Sequence, residues 1–158
     1  MIKKVNLEFN YSKAKFKRCI KSSVDKDCLS RYIKKLCGKR SVYISYNFIP
    51  SSEQLKMNID FKEHNYNTDI LTFDLSKSDC ELTGDVYISL KQIAKNSKEY
   101  KVNINEEINR VLIHGFLHIL GYNDGTVIEK KNMRREENKY LNYLSKKCST
   151  WNSSVYHY

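Results

Sequence analysis

The sequence of 158 residues is poor in the residues that separate domains, with one proline and five glycines. It has no repeat and no stretch rich in proline, glycine and serine, so we place no internal domain boundary. Its apolar runs are far shorter than the roughly 20 residues that span a bilayer. No apolar stretch near residue 1 is followed by a small-residue cleavage site. We therefore expect no signal peptide, no membrane partner and a cytoplasmic location.

The sequence also lacks a C-x-x-C pair. Its five cysteines are odd in number and widely spaced, which does not suit a disulfide framework. We therefore expect reduced and mostly buried thiols. The alternative is a second metal held by Cys28 and Cys37, but no histidine lies near these residues to support it.

Acidic residues are scarce in the first 40 positions, which hold 13 lysines and arginines but only three aspartates and glutamates. The rest of the chain is neutral, so the whole net charge of +10 arises there. A basic surface of this size favours a polyanion such as RNA. The alternative is codon drift in an AT-rich genome, because 22 of the 28 basic residues are lysine. Charge alone therefore does not identify a nucleic-acid-binding protein.

Segments typical of strands and of helices are mixed along the chain without strict alternation. Alternating or β-branched stretches predict strands over residues 4–9, 41–49, 69–75 and 84–89. Helical spacing predicts helices over residues 12–22, 26–37, 51–61, 89–100, 105–120 and 126–145. We expect one α/β domain over residues 1–148, a mixed sheet of about four strands packed by five to six helices. The polar residues 149–158 are expected to form a flexible tail.

The ends of several elements can also be predicted. Ser12, Asp25 and Asn105 are the expected helix caps, since their side-chain oxygens can accept from the first free N–H groups. Glycines follow two of the predicted helices, Gly38 and Gly121, as is common at a C-terminus. The strand over 69–75 carries apolar residues on both sides and is expected to be well buried.

The segment 114–124, HGFLHILGYND, carries the strongest functional signal. His114 and His118 are four residues apart and share one face of the predicted helix. Gly121 can end that helix in a left-handed conformation, so that Asp124 turns back towards both imidazoles. Two imidazoles and a carboxylate with a fourth position open are typical of a catalytic zinc. The alternative is an amphipathic helix with polar histidines, after which Asp124 caps the next helix.

The chemistry of this site differs from that of the familiar zinc proteases. Zinc suits nitrogen and carboxylate ligands best, although cobalt, nickel, manganese or iron could bind the same set. An aspartate ligand leaves the metal less positive than a third histidine would, so the site should tolerate harder divalent metals. The H-E-x-x-H motif of metalloproteases supplies a glutamate as the general base, and that position is Gly115 here.

These residues resemble the signature of the bacterial YbeY family, which usually reads H-G-x-L-H-L-x-G-Y-D-H. Residues 68–73, TDILTF, resemble the family's strand T-[DN]-[VI]-L-[ST]-F, and residues 84–89, GDVYIS, resemble its strand G-D-I-x-I-S. Arg110 and Met133 also fall where many members have these residues. The resemblance covers roughly residues 28–145. It implies a zinc-dependent, single-strand-specific endoribonuclease that matures the 3′ end of 16S rRNA and acts in ribosome quality control.

The resemblance also implies the metal site and the partners. The expected zinc ligands are His114, His118 and Asp124, with one zinc ion per chain. Asp124 stands where most members have a histidine, although some members carry a Lys-Asp pair at positions 123 and 124. The expected partners are single-stranded rRNA and the ribosome or ribosomal proteins.

Lys62 and Arg110 are the expected catalytic residues, since both could offset the charge that grows on the phosphorane. The family's functional arginine falls on Lys62, which keeps the charge but loses the planar fork that grips phosphate. The alternative is that Lys62 is an ordinary solvated lysine. His64 is a further candidate for a phosphate contact.

Two other functions stay open at this point. A non-catalytic, zinc-stabilised factor that binds rRNA or the ribosome would explain the basic charge equally well. A zincin-type metalloprotease would explain the histidine spacing. Gly115 disfavours the protease, because loss of a general base removes about 10²–10⁴-fold of the rate.

Overall fold

The computed structural model describes residues 4–63 and 68–148. His64 and the predicted tail over 149–158 lie outside the described residues. The elements are β1 (Val5–Tyr11), α1 (Ala14–Ser23), α2 (Lys26–Leu36), β2 (Ser41–Phe48), α3 (Ser51–Lys62), β3 (Ile70–Asp74), β4 (Glu81–Ile88), α4 (Leu90–Glu99), α5 (Ile104–Leu120) and α6 (Val127–Lys147).

The four strands form one mixed sheet in the order β1-β2-β4-β3. β1, β2 and β4 are parallel, and β3 runs antiparallel to β4 at the edge of the sheet. The described residues therefore form a mixed α/β fold with four strands and six helices, which confirms the predicted fold class. None of the described helices is long and apolar enough to cross a membrane.

One face of the sheet is apolar and packs against helices. Alternate residues of β2 are buried there, and β4 follows the same pattern. Helix α5 packs against β3, β4, α4 and α6. It approaches the sheet closely because Gly84 of β4 leaves space for the side chain of Ile119 on α5. The metal-ligand motif is thus fixed on the most buried helix of the fold.

The position of β3 corrects the prediction of a well-buried strand. β3 pairs only with β4, so its outer side is open. Leu71 is 6% exposed, but Leu75 just beyond the strand is 47% exposed. Apolar residues on both sides of a strand do not show whether a neighbour lies along its edge, and this strand has a neighbour on one side only.

The predicted helix caps are partly correct. Asp25 caps α2 and accepts from the N–H of Cys28 at 3.0 Å, as expected. Ser12 and Asn105 are not caps, because α1 begins after Lys13 and α5 is capped by Asn103. Gly121 ends α5 with φ of 117°, a backbone conformation that favours glycine. The metal-ligand motif requires such a helix end, because the chain must turn back to bring Asp124 close to the two histidines.

The cysteines are not all reduced, contrary to expectation. Cys28 at the start of α2 and Cys148 after α6 form a disulfide, with Cα atoms 6.4 Å apart. They are 120 residues apart in sequence, so only the tertiary fold brings them together. Because Cys28 is bonded to Cys148, the alternative of a second metal on Cys28 and Cys37 does not apply. Cys19, Cys37 and Cys80 are free thiols.

Candidate metal centre

Helix α5 and the turn after it bring three predicted ligand atoms together. The Nε2 atoms of His114 and His118 lie 3.0 Å apart. Oδ2 of Asp124 is 3.3 Å from each of them. The turn at Gly121 therefore returns the chain as its sequence predicts. Thr126, not Asp124, caps α6, so the alternative role of Asp124 as a helix cap is wrong.

The triangle of donor atoms fits a tetrahedral metal ion. Ligands about 2.0–2.1 Å from a zinc ion lie about 3.3–3.4 Å apart along a tetrahedral edge. The three observed separations, from 3.0 to 3.3 Å, are close to that edge. All three side chains are partly exposed, which leaves one side of the site open to a further ligand. His114, His118 and Asp124 could therefore hold one divalent metal ion.

Glu137 of α6 supports His114 from behind. Its Oε2 lies 2.7 Å from Nδ1 of His114, and its Oε1 accepts from Nη1 of Arg110 at 3.1 Å. Burial alone would raise the pKa of Glu137, but the hydrogen bonds and positive charges of His114 and Arg110 outweigh burial and lower it. An ionised Glu137 accepts a hydrogen bond from the Nδ1–H group of His114. This bond directs Nε2 of His114 towards the other two candidate ligands.

Sequence reasoning missed Glu137, although a signal was present. In the sequence of α6, apolar residues occur at Ile128 and Met133 and then again at Tyr140. Glu137 lies at helical spacing between Met133 and Tyr140, and it is 5% exposed. Ile128 is 72% exposed and is not part of the core. A carboxylate on the apolar side of a helix needs a partner, which here is His114.

The two histidines have opposite pKa shifts. For His114, burial lowers the pKa, but the hydrogen bond and charge of Glu137, with the charges of Asp124 and Asp69, raise it overall. For His118, burial and the nearby charge of His114 lower the pKa. A lowered pKa keeps the His118 ring neutral, which is the form that binds a metal.

An open groove of about 570 Å³ leads to the three ligands. The outer edge of β3 lines one side, and Lys62 at the end of α3 lies at its rim. The Lys62 ammonium is exposed and lies 4.9 Å from the centre of the Phe73 ring. The structure therefore places Lys62 on the same groove as the ligands.

Arg110 is not among the residues that line this groove. Its guanidinium donates to Glu137 and, at 2.9 Å, to Oδ1 of Asn138, and it forms an ion pair with Glu106 at 3.4 Å. Arg110 also lines a second cavity, of about 300 Å³, together with His114 and Asp124. Of these three partners, Glu137 is the one that also contacts His114.

The comparison with known proteins identifies the family. Residues 3–145 match the family model described as Endoribonuclease YbeY. The chain belongs to the YbeY family. It is 35% identical over 129 residues to the Endoribonuclease YbeY of Parabacteroides distasonis, covering 80% of this chain and 90% of that protein. It is 40% identical over 122 residues to the Endoribonuclease YbeY of Azobacteroides pseudotrichonymphae, covering 75% and 87%.

A solved structure gives the same fold. The solution structure of a protein from Thermotoga maritima superimposes with a TM-score of 0.59 at 23% identity, over 89% of this chain and 88% of that one. The fold and the family relationship agree. The chain is a hydrolytic endoribonuclease, as its YbeY relatives are named.

The glycine of the YbeY motif has a structural reason. A Cβ atom at Gly115 would lie 3.0 Å from Cδ1 of Ile70 and 3.1 Å from Cγ1 of Val86. This position faces the sheet, while His114 and His118 face the groove. A glutamate at position 115 would therefore enter the core instead of the site. A metalloprotease mechanism at this site would therefore lack its general base.

Asp69, which precedes β3, is the second acidic group that sequence reasoning missed. It lines both cavities beside His114. Its Oδ2 accepts from Nδ2 of Asn96 at 3.3 Å. Burial raises the pKa of Asp69, although the charge of His114 acts in the opposite direction.

Proposed function

We propose that this chain is a zinc-dependent, single-strand-specific endoribonuclease of ribosomal RNA. The observation that carries the proposal is the triangle of three ligand atoms, 3.0–3.3 Å apart, at the end of an open groove. The proposed role is maturation of the 16S rRNA 3′ end and ribosome quality control, with the ribosome or ribosomal proteins as partners. Such a substrate requires a cytoplasmic location, and residues 1–148 form the proposed catalytic domain.

The residues of the groove have different proposed roles. His114, His118 and Asp124 hold the zinc ion, which when bound polarises a phosphate oxygen and lowers the pKa of water. Lys62 attracts the scissile phosphate at the groove rim and offsets its growing charge. Because position 115 is a glycine, the general base of the proposed reaction must be a different group.

Arg110 acts in this proposal as a positioning residue. Its guanidinium neutralises Glu137, whose carboxylate orients His114. Loss of Arg110 would remove the shorter of the two arginine ion pairs of the buried Glu137 carboxylate, 3.1 Å against 3.6 Å for Arg134, which is costly. In this proposal Arg110 acts indirectly, through Glu137 and His114, while its expected effect on the phosphorane charge stays a prediction.

The test is cleavage of labelled single-stranded RNA by the purified chain and by His114→Ala, prepared identically. We expect the wild type to cleave single-stranded RNA and to spare the same sequence in a duplex. We expect His114→Ala and chelated wild type to lose at least about 100-fold of the rate, because the metal centre supplies the Lewis acid. Zinc should restore only the chelated wild type. Equal cleavage by His114→Ala would reveal a contaminating nuclease and remove the support for this function.

A further inference from the structure

A second groove lies between α2 and α6, away from the three ligands. It has a volume of about 440 Å³. Its aromatic walls are Tyr32 and Tyr143, and its basic rim consists of Lys35, Lys139, Lys146 and Lys147. A basic groove with aromatic walls is the combination that binds single-stranded nucleic acid, since phosphates bind to cations and bases stack on rings.

The charge of this α2–α6 groove is strongly unbalanced. Its one carboxylate belongs to Glu136, which is buried and accepts from Nζ of Lys139 at 2.8 Å. Within the described ranges 4–63 and 68–148, no ion pair is recorded for Lys35, Lys146 or Lys147. Three exposed cations are thus available to a polyanion.

The aromatic wall offers a stacking surface. Tyr32 is 6% exposed and packs against Tyr143, with ring centres 5.1 Å apart. Tyr143 is half-buried and lines the groove, so Tyr32 fixes one part of the ring while another part faces solvent. A tyrosine held in this way loses little side-chain entropy when a base stacks on it.

The groove and the metal centre lie on different sides of α6, which contributes residues to both. Glu136 lines the groove, and the next residue, Glu137, holds His114. Lys146 lies nine residues further along α6, which is about 14 Å at the rise of an α-helix. At the other end, Arg134 is 60% exposed and lines the cavity beside His114. Nine residues also make about 2.5 helical turns, so Lys146 and Glu137 face opposite sides of α6, and an RNA strand must pass round the helix to contact both the groove and the ligands.

Other occupants fit this surface less well. The exposed large apolar residues of the described chain all lie outside the groove, so it offers nothing to insert into a lipid surface. An acidic peptide would use the lysines but has no group that requires a tyrosine ring. The pairing of cations with an aromatic wall favours RNA.

We propose that the α2–α6 groove binds single-stranded RNA on one side of the phosphate that is cleaved. Lys35, Lys146 and Lys147 hold backbone phosphates, and Tyr143 stacks one base. This inference rests on the proposed function, because it assigns a second contact region to the same substrate.

The first experiment measures binding without cleavage. His114→Ala protein is titrated into a fluorescent single-stranded RNA of about 20 nucleotides, alone and combined with Lys146→Glu/Lys147→Glu. We expect the double substitution to weaken binding about tenfold or more and to reduce the salt slope by about 1.4, since each phosphate contact contributes about 0.7. The matched control is Lys91→Glu/Lys98→Glu, which makes the same charge change on two exposed lysines of α4. The control should bind like the parent.

Tyr143 distinguishes RNA from an acidic protein partner. Tyr143→Ala should weaken RNA binding about tenfold, and Tyr143→Phe should retain it, because stacking needs the ring and not the hydroxyl. Thermal unfolding of both variants checks that each is folded. If Tyr143→Ala binds RNA as Tyr143→Phe does, and a polyglutamate peptide competes fully, the groove is a protein-docking site and the proposal is wrong.

The second experiment compares cleavage of RNAs of about four and about 20 nucleotides. In the wild type the longer RNA should have the higher kcat/KM, because only it reaches the groove. Lys146→Glu/Lys147→Glu should bring the ratio of the two values close to one. Failure of the proposed function would appear as no metal-dependent cleavage of either RNA. Failure of the groove proposal would appear as cleavage with an unchanged ratio.

Discussion

Oε2 of Glu137 lies 2.7 Å from Nδ1 of His114, so a carboxylate on α6 fixes the orientation of a ligand on α5. Glu137→Gln keeps the shape but removes the negative charge that favours the Nδ1 proton. We expect metal affinity to fall about 10–100-fold, the usual cost of losing such a support. Competition with a chromophoric chelator measures this affinity, and the fold should be retained.

The matched control for Glu137→Gln is Glu136→Gln on the adjacent residue. Both glutamates are buried, with 5% and 8% exposure, but Glu136 pairs with Lys139 rather than with a ligand. Glu136→Gln should bind metal like the wild type. An equal loss in both variants would mean that general damage to α6, and not the contact with His114, lowers the affinity.

Gly115 explains why a glutamate at this position of α5 could not act as the general base of a metalloprotease. Gly115→Ala places a methyl group 3.0 Å from Ile70 and should cost about 1–3 kcal/mol of unfolding free energy. Gly115→Glu should cost more, because it also places a carboxylate in the core. Chemical denaturation measures both changes, and a peptide-library digest should show no protease activity.

Gly125→Ala is the control for these two variants. Nothing lies within 4 Å of a Cβ atom at Gly125, which precedes the cap of α6. Its unfolding free energy should change by less than about 1 kcal/mol. A stable Gly115→Glu protein that cleaves peptides would contradict the placement of this residue against the sheet.

The group of three candidate ligands was predictable because their relationship is local. His114 and His118 are one helical turn apart, and Gly121 and Asp124 follow within the next six residues. The supporting residues are remote in sequence. Glu137 meets His114 through the packing of α6 on α5, and Cys28 meets Cys148 through the packing of α2 on α6. Local periodicity carries no information about such pairings.

Errors at element ends have a similar origin. Asn103 and Asn105 are both capping types, and the choice between them depends on where the preceding chain leaves α4. The edge position of β3 depends on sheet order, which alternation within one strand does not encode. The open edge of β3 nevertheless shapes the site, since it lines the groove.

Lys62 can be tested against its neighbour on the same helix. Lys62→Ala should lower kcat/KM for single-stranded RNA about tenfold, because an exposed cation at the groove rim gives partly screened stabilisation. Lys62→Arg should keep at least wild-type activity, since a guanidinium can bind phosphate with two hydrogen bonds. The control is Lys56→Ala, an exposed lysine of α3 that does not line the groove. Equal activity of all three variants would show that Lys62 is an ordinary solvated lysine with no role in cleavage.

Asp69 gives a prediction for the pH dependence of stability in the metal-free protein. Burial raises the pKa of its carboxyl above the ordinary value of 3.8, against the effects of His114 and Asn96. Between the ordinary and the raised value, the folded state binds a proton that the unfolded state has lost. Stability therefore falls as pH rises through this window, and the loss persists at neutral pH.

Asp69→Asn removes this loss, because an amide stays neutral and its oxygen can still accept from Asn96. We expect a higher urea midpoint than the wild type at pH 7 and little difference near pH 3, below both pKa values. RNA cleavage should persist, because Asp69 is not one of the three candidate metal ligands. Asp60→Asn, on an exposed residue of α3, should leave the midpoint unchanged. Loss of cleavage in a folded Asp69→Asn protein would instead assign proton transfer to this carboxylate.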